Sequence, residues 1–198
     1  MAKQARSVAT LDRIMETAVS EFRAHGFRGA AISGICKSAG VSPGHLYHYF
    51  DSKEAIVEAI VEQERAKIRG EIAQLLATEE PLTAMVDAML AERNGEDRMD
   101  TVMAIEIYAE ATRNPRVARI VKDFEQHLLS EIVAMLTSLE HTGRIIPGLD
   151  LPAIASVLMA LVDGVLTRAI ADRDADLTGL KPTLKTVIAA LLPSPKYN

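Results

Sequence analysis

The sequence has a single cysteine, Cys36, so an intrachain disulfide scaffold is impossible, and no Cys or His cluster carries the spacing of a structural zinc site. Long apolar runs are also missing. The most apolar uncharged stretch, residues 151–162, is too short to span a bilayer, and residues 1–13 carry charges throughout with no apolar segment of the signal-peptide kind. A cytoplasmic protein with no membrane partner is therefore expected. Alternating runs of Val, Ile and Thr are absent, which removes strand candidates, and there is no Gly-rich phosphate loop, internal repeat or low-complexity stretch. Cys36 reads as a small buried residue on a short helix, with redox sensing left open by its neighbour Lys37.

What is present is apolar material and helical period. Hydrophobic residues make up 48% of the 198 and charged residues 25%, enough to bury a real core. The net charge is −5, but it is unevenly spread. Up to Lys53 there are seven Lys and Arg against four Asp and Glu, which makes that segment +3 and leaves −8 for the remainder. A basic head on an acidic body suits a chain that touches DNA at one end only.

The apolar spacing predicts an all-α protein of about nine helices. A first helix runs from about Ser7 to His25 with Leu11, Ile14, Ala18 and Phe22 on one stripe, stopped by Gly26 in a left-handed conformation, after which Phe27 folds back. A short second helix, about residues 31–39, ends at Gly40; Val41 anchors the turn, Ser42 caps, and Pro43 opens a third helix to Tyr49. Asp51-Ser-Lys-Glu54 has a capping-box pattern that launches a fourth helix toward Leu76. Further helices are expected at 81–93, 99–113, 115–140, 151–172 and 179–192, with loops at 94–98 and 142–150 and a frayed end at 194–198.

Two short helices joined through Ala39-Gly-Val-Ser42 after a longer one form a helix-turn-helix, over about residues 31–50, whose last helix is presented to a major groove. Leu46 and Phe50 can face inward while Pro43, Gly44, His45, Tyr47 and His48 face outward. Ala39-Gly-Val-Ser-Pro-Gly-His-Leu-Tyr-His-Tyr-Phe-Asp-Ser-Lys-Glu54, together with Phe27, Gly26, Phe22 and Ile14, closely resembles the TetR/AcrR family of bacterial regulators. The resemblance implies a DNA-binding domain at 1–53 and a helical ligand-binding and dimerisation domain at 54–198. It implies that Ser42, Pro43, Gly44, His45 and His48 face base edges or nearby backbone and that Tyr47 and Lys53 contact phosphates. Small residues at Ser42 and Gly44 let the helix N-terminus approach a phosphate. At Ala31, where the family commonly has a capping Thr or Ser, Ser33 or Arg28 is left to take the phosphate contact. His45 stands where a smaller residue is usual and leaves a pH-sensitive contact open. His45 and His48 as metal ligands would lack a third partner nearby, so no metal is assigned.

For the remainder, the resemblance implies a small-molecule effector, and Met85, Met89, Met103, Glu106, Tyr108, Glu110 and His127 are the candidate pocket residues. Methionines suit an adaptable cavity, while Glu106 and Glu110 at i, i+4 suit a cation beside Tyr108. Each of these also reads as ordinary core or solvated face. The fragment Leu161-Val-Asp-Gly-Val-Leu-Thr-Arg168 resembles the choline-responsive subgroup, which keeps cationic ligands open. Ala155, Met159, Val162, Leu166, Ile188 and Leu191 form apolar faces that need covering, by resemblance with the same helices of a second subunit. The expected function is a homodimeric ligand-responsive repressor on a palindromic DNA site, with activation left open. No cofactor is called for. An enzyme would need a nucleophile, base or metal constellation that Asp163, His127 and Glu110 do not supply by spacing. A helix-turn-helix adaptor that binds protein would show no salt-dependent affinity for duplex DNA.

Overall fold

The computed structural model describes residues 2–91, 96–172 and 178–195, and among them the chain is helical with no strand. In chain order the helices are α1 (Ala2–Gly29), α2 (Ile32–Ala39), α3 (Pro43–Tyr49), α4 (Lys53–Ala77), α5 (Pro81–Ala91), α6 (Glu96–Ala111), α7 (Pro115–His141), α8 (Leu151–Ala171) and α9 (Lys181–Leu191), with a 3₁₀ turn at Thr178–Leu180 leading into α9. The all-α expectation holds. Two boundaries move: α1 starts earlier than Ser7, and Glu96–Arg98, expected as loop, already belong to α6. Asn94 and the end of the expected fifth helix at Arg93 lie outside the described residues, as does the tail from residue 196.

The helix stops follow local chemistry. Gly26 sits at φ 67°, ψ 169°, a region open almost solely to glycine, and it interrupts α1 at the place where the stop was expected. Phe27 does fold back, stacking on Phe22 with ring centroids 5.5 Å apart. The fourth helix differs in its cap. Ser52, not Asp51, accepts the first-turn N–H, from Ala55 at 3.2 Å, so the capping pattern is shifted by one residue. Asp51 accepts instead from the Ser52 hydroxyl at 3.1 Å.

The chain divides into two compact units, Met1–Glu64 with Met99–Phe124, and Arg65–Arg98 with Glu125–Asn198. The division passes through α4 and α7 rather than between residues 53 and 54, because the first turns of α4 and the middle of α6 belong to the first core. That core gathers Ile14, Ala18 and Phe22 of α1, Ile35 and Ala39 of α2, Leu46, Phe50, Ile56, Val57, and then Met103, Ile107 and Val117. Each of the larger of these side chains contributes about 1.5–3 kcal/mol by leaving water. The second core is built from Val86 and Leu90 of α5, Met135, Leu136 and Leu139 of α7, Leu151, Ala155, Leu158 and Val165 of α8, and Leu184, Ile188 and Leu192 at α9. Ile145, in the loop before α8, is buried among them. Its neighbour is pinned through its backbone, Ile146 N–H donating to Pro193 at 2.9 Å. No described helix is long and apolar enough to cross a membrane.

Candidate nucleic-acid interface

The turn between α2 and α3 is closed by backbone. Gly40, at φ 63° and ψ 35°, donates to Lys37 at 3.3 Å and the next residue, Val41, donates to Cys36 at 3.0 Å, a pairing that satisfies the last carbonyls of α2. Ser42 then takes an extended conformation and its hydroxyl accepts from His45 N–H at 3.2 Å, with Pro43 at the first helical position. α3 buries Leu46, at 0% exposure, and the following Phe50 is buried as well. Pro43, Gly44, His45 and His48 are exposed, and Tyr47 is 53% exposed. A Cβ at Gly44 would meet nothing within 4 Å, so the fold itself makes no demand for glycine there.

The histidines pack on a ring the sequence reading passed over as a DNA-site residue. The Tyr49 ring lies 5.4 Å from that of His45 and 5.4 Å from that of His48, the second pair edge to face.

Lys53 is corrected by the structure. Its ammonium donates to the carbonyls of Phe27 at 2.6 Å, Ala30 at 3.2 Å and Arg28 at 3.3 Å, and it lies 4.7 Å from the centre of the Phe27 ring. An ammonium has three donors, and all three are used to close the end of α1. Lys53 therefore ties α4 to α1 instead of reaching out for a phosphate. The gap at Ala31 is real: it takes the N-cap conformation of α2 with no side-chain cap, while Ser33 and Arg28 are both exposed.

Arg28 is engaged from the side of α6. Its Nε donates to Glu110 at 3.1 Å, and Arg113 Nε donates to the same carboxylate at 2.7 Å. Glu110 is 3% exposed. Burial pushes its carboxyl up, but the hydrogen bonds from Arg113 and Arg28 outweigh this and hold it below the ordinary range. The corner between α6 and α7 also reaches α4. Asn114 Nδ2 donates to Glu54 at 2.9 Å, its Oδ1 accepts from Arg116 N–H at 3.1 Å as the cap of α7, and Arg116 Nη1 donates to Ser52 at 3.0 Å. Sequence reasoning named Glu110 but missed Arg113, Asn114 and Arg116; the Asn-Pro pair at 114 and 115 was the available signal for a capped corner.

Known proteins agree with this geometry. The family profile "Bacterial regulatory proteins, tetR family" matches residues 14–60, and "BetI-type transcriptional repressor, C-terminal" matches residues 78–193. The chain belongs to the TetR family. It is a DNA-binding transcriptional regulator with an N-terminal helix-turn-helix. The HTH-type transcriptional regulator UidR of Escherichia coli K12 is 28% identical over 189 residues, 96% of each chain. GusR of Salmonella enterica superposes with a TM-score of 0.83 at 29% identity, over 93% of this chain and 95% of that one. FadR of Bacillus subtilis, solved in complex with stearoyl-CoA, has the same fold, with a TM-score of 0.76 at 19% identity over 91% and 98%.

The expected effector residues of this TetR-family chain are not gathered in either unit. Met103 is buried in the first core, Glu110 is held by two arginines, Glu106 sits so close to Gly26 that a Cβ there would stand 2.8 Å from its Oε2, and Tyr108 is an exposed residue of the first unit. Met85 packs against the second core, while the side chain of Met89 lies outside the described residues. His127 lies 3.3 Å from Arg69 Nη2 and 3.5 Å from Glu131 Oε1, a half-buried polar cluster rather than a pocket wall. The second unit instead has a groove of about 310 Å³ between α7 and α8, lined by Glu125, Gln126, Leu129, Ser156, Met159, Ala160 and Asp163. Burial, then the nearby charge of Glu125, pushes the Asp163 carboxyl up.

The expected dimer face is corrected in part. Ala155 at 0% and Ile188 at 1% exposure are consumed by the chain's own second core, and Val162 and Leu191 are half-buried against it. Met159 lines the groove, and the side chain of Leu166 lies outside the described residues. What α8 leaves outward is a line of smaller residues, Ser156, Val157, Ala160 and Gly164, with Val157 45% exposed. Cys36 is buried and its thiol is pushed up by that burial, the opposite of what a reactive thiolate needs.

Proposed function

We propose that this TetR-family regulator is a cytoplasmic repressor that binds a palindromic operator as a homodimer and is released when its C-terminal part takes up a small molecule. The observation that carries this reading is α3, which spends Leu46 on the core and turns Pro43, Gly44, His45, Tyr47 and His48 to solvent from a helix whose start is pinned by Ser42. Open space above Gly44 lets a duplex backbone approach the first turn, while the imidazoles and the phenol supply donors for base edges and phosphates. With Lys53 committed to α1, Ser33, Tyr47 and the exposed guanidinium of Arg28 are the phosphate contacts.

Two copies related by a two-fold axis present two α3 helices to half-sites one DNA turn apart, about 34–36 Å. The outward side of α8, around Val157 and Gly164, is the face offered to the second copy. The effector belongs to the second unit, and the groove between α7 and α8 is its candidate seat; that FadR, a chain of the same fold, holds stearoyl-CoA supports an organic effector. An effector that prefers one of two dimer arrangements by about 1–3 kcal/mol makes a usable switch. No catalytic step is assigned to this chain.

The test is selection of bound duplexes from a random pool, followed by titration of the enriched duplex at several salt concentrations. An inverted repeat bound by two chains, with affinity falling steeply as salt rises, is the expected result. Failure to enrich any duplex at low salt would overturn the reading. With the duplex in hand, small molecules are screened for release of the bound dimer.

A further inference from the structure

α3 is a short helix with one buried side chain, so what it offers to DNA depends on how firmly its exposed side chains are oriented. Holding a free, rotamer-rich side chain in one orientation at the moment of binding costs about 0.5–1.5 kcal/mol. The backbone of His45 is already fixed, since its N–H donates to Ser42. Its ring, and that of His48, need a second support.

Tyr49 supplies that support. It is the last residue of α3, half-buried and packed against the first core, so one edge of its ring is anchored in the protein while the rest faces the surface. His45 lies one helical turn before it and His48 immediately before it. Both imidazole centroids are 5.4 Å from the Tyr49 ring, one tilted by 37° and the other at 72°, distances and angles at which aromatic rings attract. An imidazole presents its two nitrogens along one edge plane, so the ring's tilt decides which base edge or phosphate they meet.

We propose that Tyr49 is a positioning residue for base reading, a core-anchored ring that holds the His45 and His48 imidazoles in their reading orientation without itself contacting the bases. This rests on the reading of α3 as the base-contacting helix. It assigns specificity to a residue that reads no base itself.

The experiment uses the full chain and the duplex enriched by selection. The quantity read is the ratio of affinities for that duplex and for the same duplex with the base pairs under α3 exchanged, alongside the salt slope and the thermal midpoint. Tyr49→Leu is expected to lower the ratio about five-fold, the size of an aromatic pairing, with the salt slope unchanged. Tyr49→Phe, which keeps the ring, should keep the ratio. In a His45→Ala, His48→Ala background, Tyr49→Leu should change the ratio no further. An equal loss in that background, a loss with Tyr49→Phe, or an unchanged ratio with Tyr49→Leu while the histidine variants lose theirs would each overturn the positioning role alone. A full ratio in the double histidine variant would instead overturn base reading by these histidines, and the positioning role with it. Should Tyr49→Leu fail to fold, Tyr49→Met, whose flexible side chain fills the same space, is read by the same criteria.

Discussion

The two units set their carboxylates differently. In the first, Glu110 and Glu54 are met by guanidinium and amide donors and their carboxyls fall below the ordinary range; in the second, Lys181 lowers Asp87 in the same way, but the exposed Asp163 faces Glu125 across a groove and its carboxyl rises. A carboxylate lowered by partners is tied into the fold and stabilises it. One raised by burial and a like charge opposes folding whenever it is ionised. Polar partners thus brace carboxylates in both units, while the groove of the second holds a raised one.

The largest test of that contrast is Lys53. Replacing it with Met keeps the stem but leaves the carbonyls of Phe27, Arg28 and Ala30 without their cation, and should lower stability by about 2–3 kcal/mol. Thermal unfolding checks this, and the salt slope of operator binding should not change. A slope reduced by about one would reinstate a phosphate contact.

Next comes Glu110→Gln, expected to cost about 1–2 kcal/mol, because Arg28 and Arg113 keep access to water once the charge is gone. The sign with pH follows from the lowered values of Glu110 and Glu54. Their contribution is present at neutral pH and is lost as pH falls from the ordinary carboxylate value of 4.5 through the lower folded values. Acid unfolding curves should therefore be shallower in Glu110→Gln than in the parent.

A smaller effect should come from Ala31→Ser, which supplies the missing cap of α2 and should stabilise by about 0.5–1 kcal/mol in chemical denaturation. The smallest is Asp163→Asn. It should raise stability slightly at neutral pH and leave it unchanged in acid, where the parent carboxyl is already protonated. A loss at neutral pH would mean that Asp163 is tied in after all.

Local signals were the legible part of the sequence. Gly26, Gly40 and the Ser42-Pro43 pair each act through their own backbone or their neighbours', so the helix-turn-helix and its outward residues could be read residue by residue. The Asp51-to-Ser52 shift shows the limit of that reading, since Asp51 satisfied the pattern with Glu54 while the adjacent Ser52, equally able to accept, takes the cap. Partners distant in sequence were not legible. Nothing around Lys53 announces that its ammonium meets Phe27, or around Met103 that it lies with Ile14 and Phe22, because the helical period shows which face is apolar and not which core it enters. The same blindness put Ala155 and Ile188 on an outer face when they close the chain's own core.

Cys36 turns this architecture into an instrument. It is the chain's only thiol, it lies within the first core, and its attachment to a thiol reagent requires that core to open. Under conditions where reclosing outpaces attachment, the labelling rate divided by that of an unfolded peptide gives the opening equilibrium of the operator-binding end alone. Adding operator should slow the clock, and adding an effector should restart it.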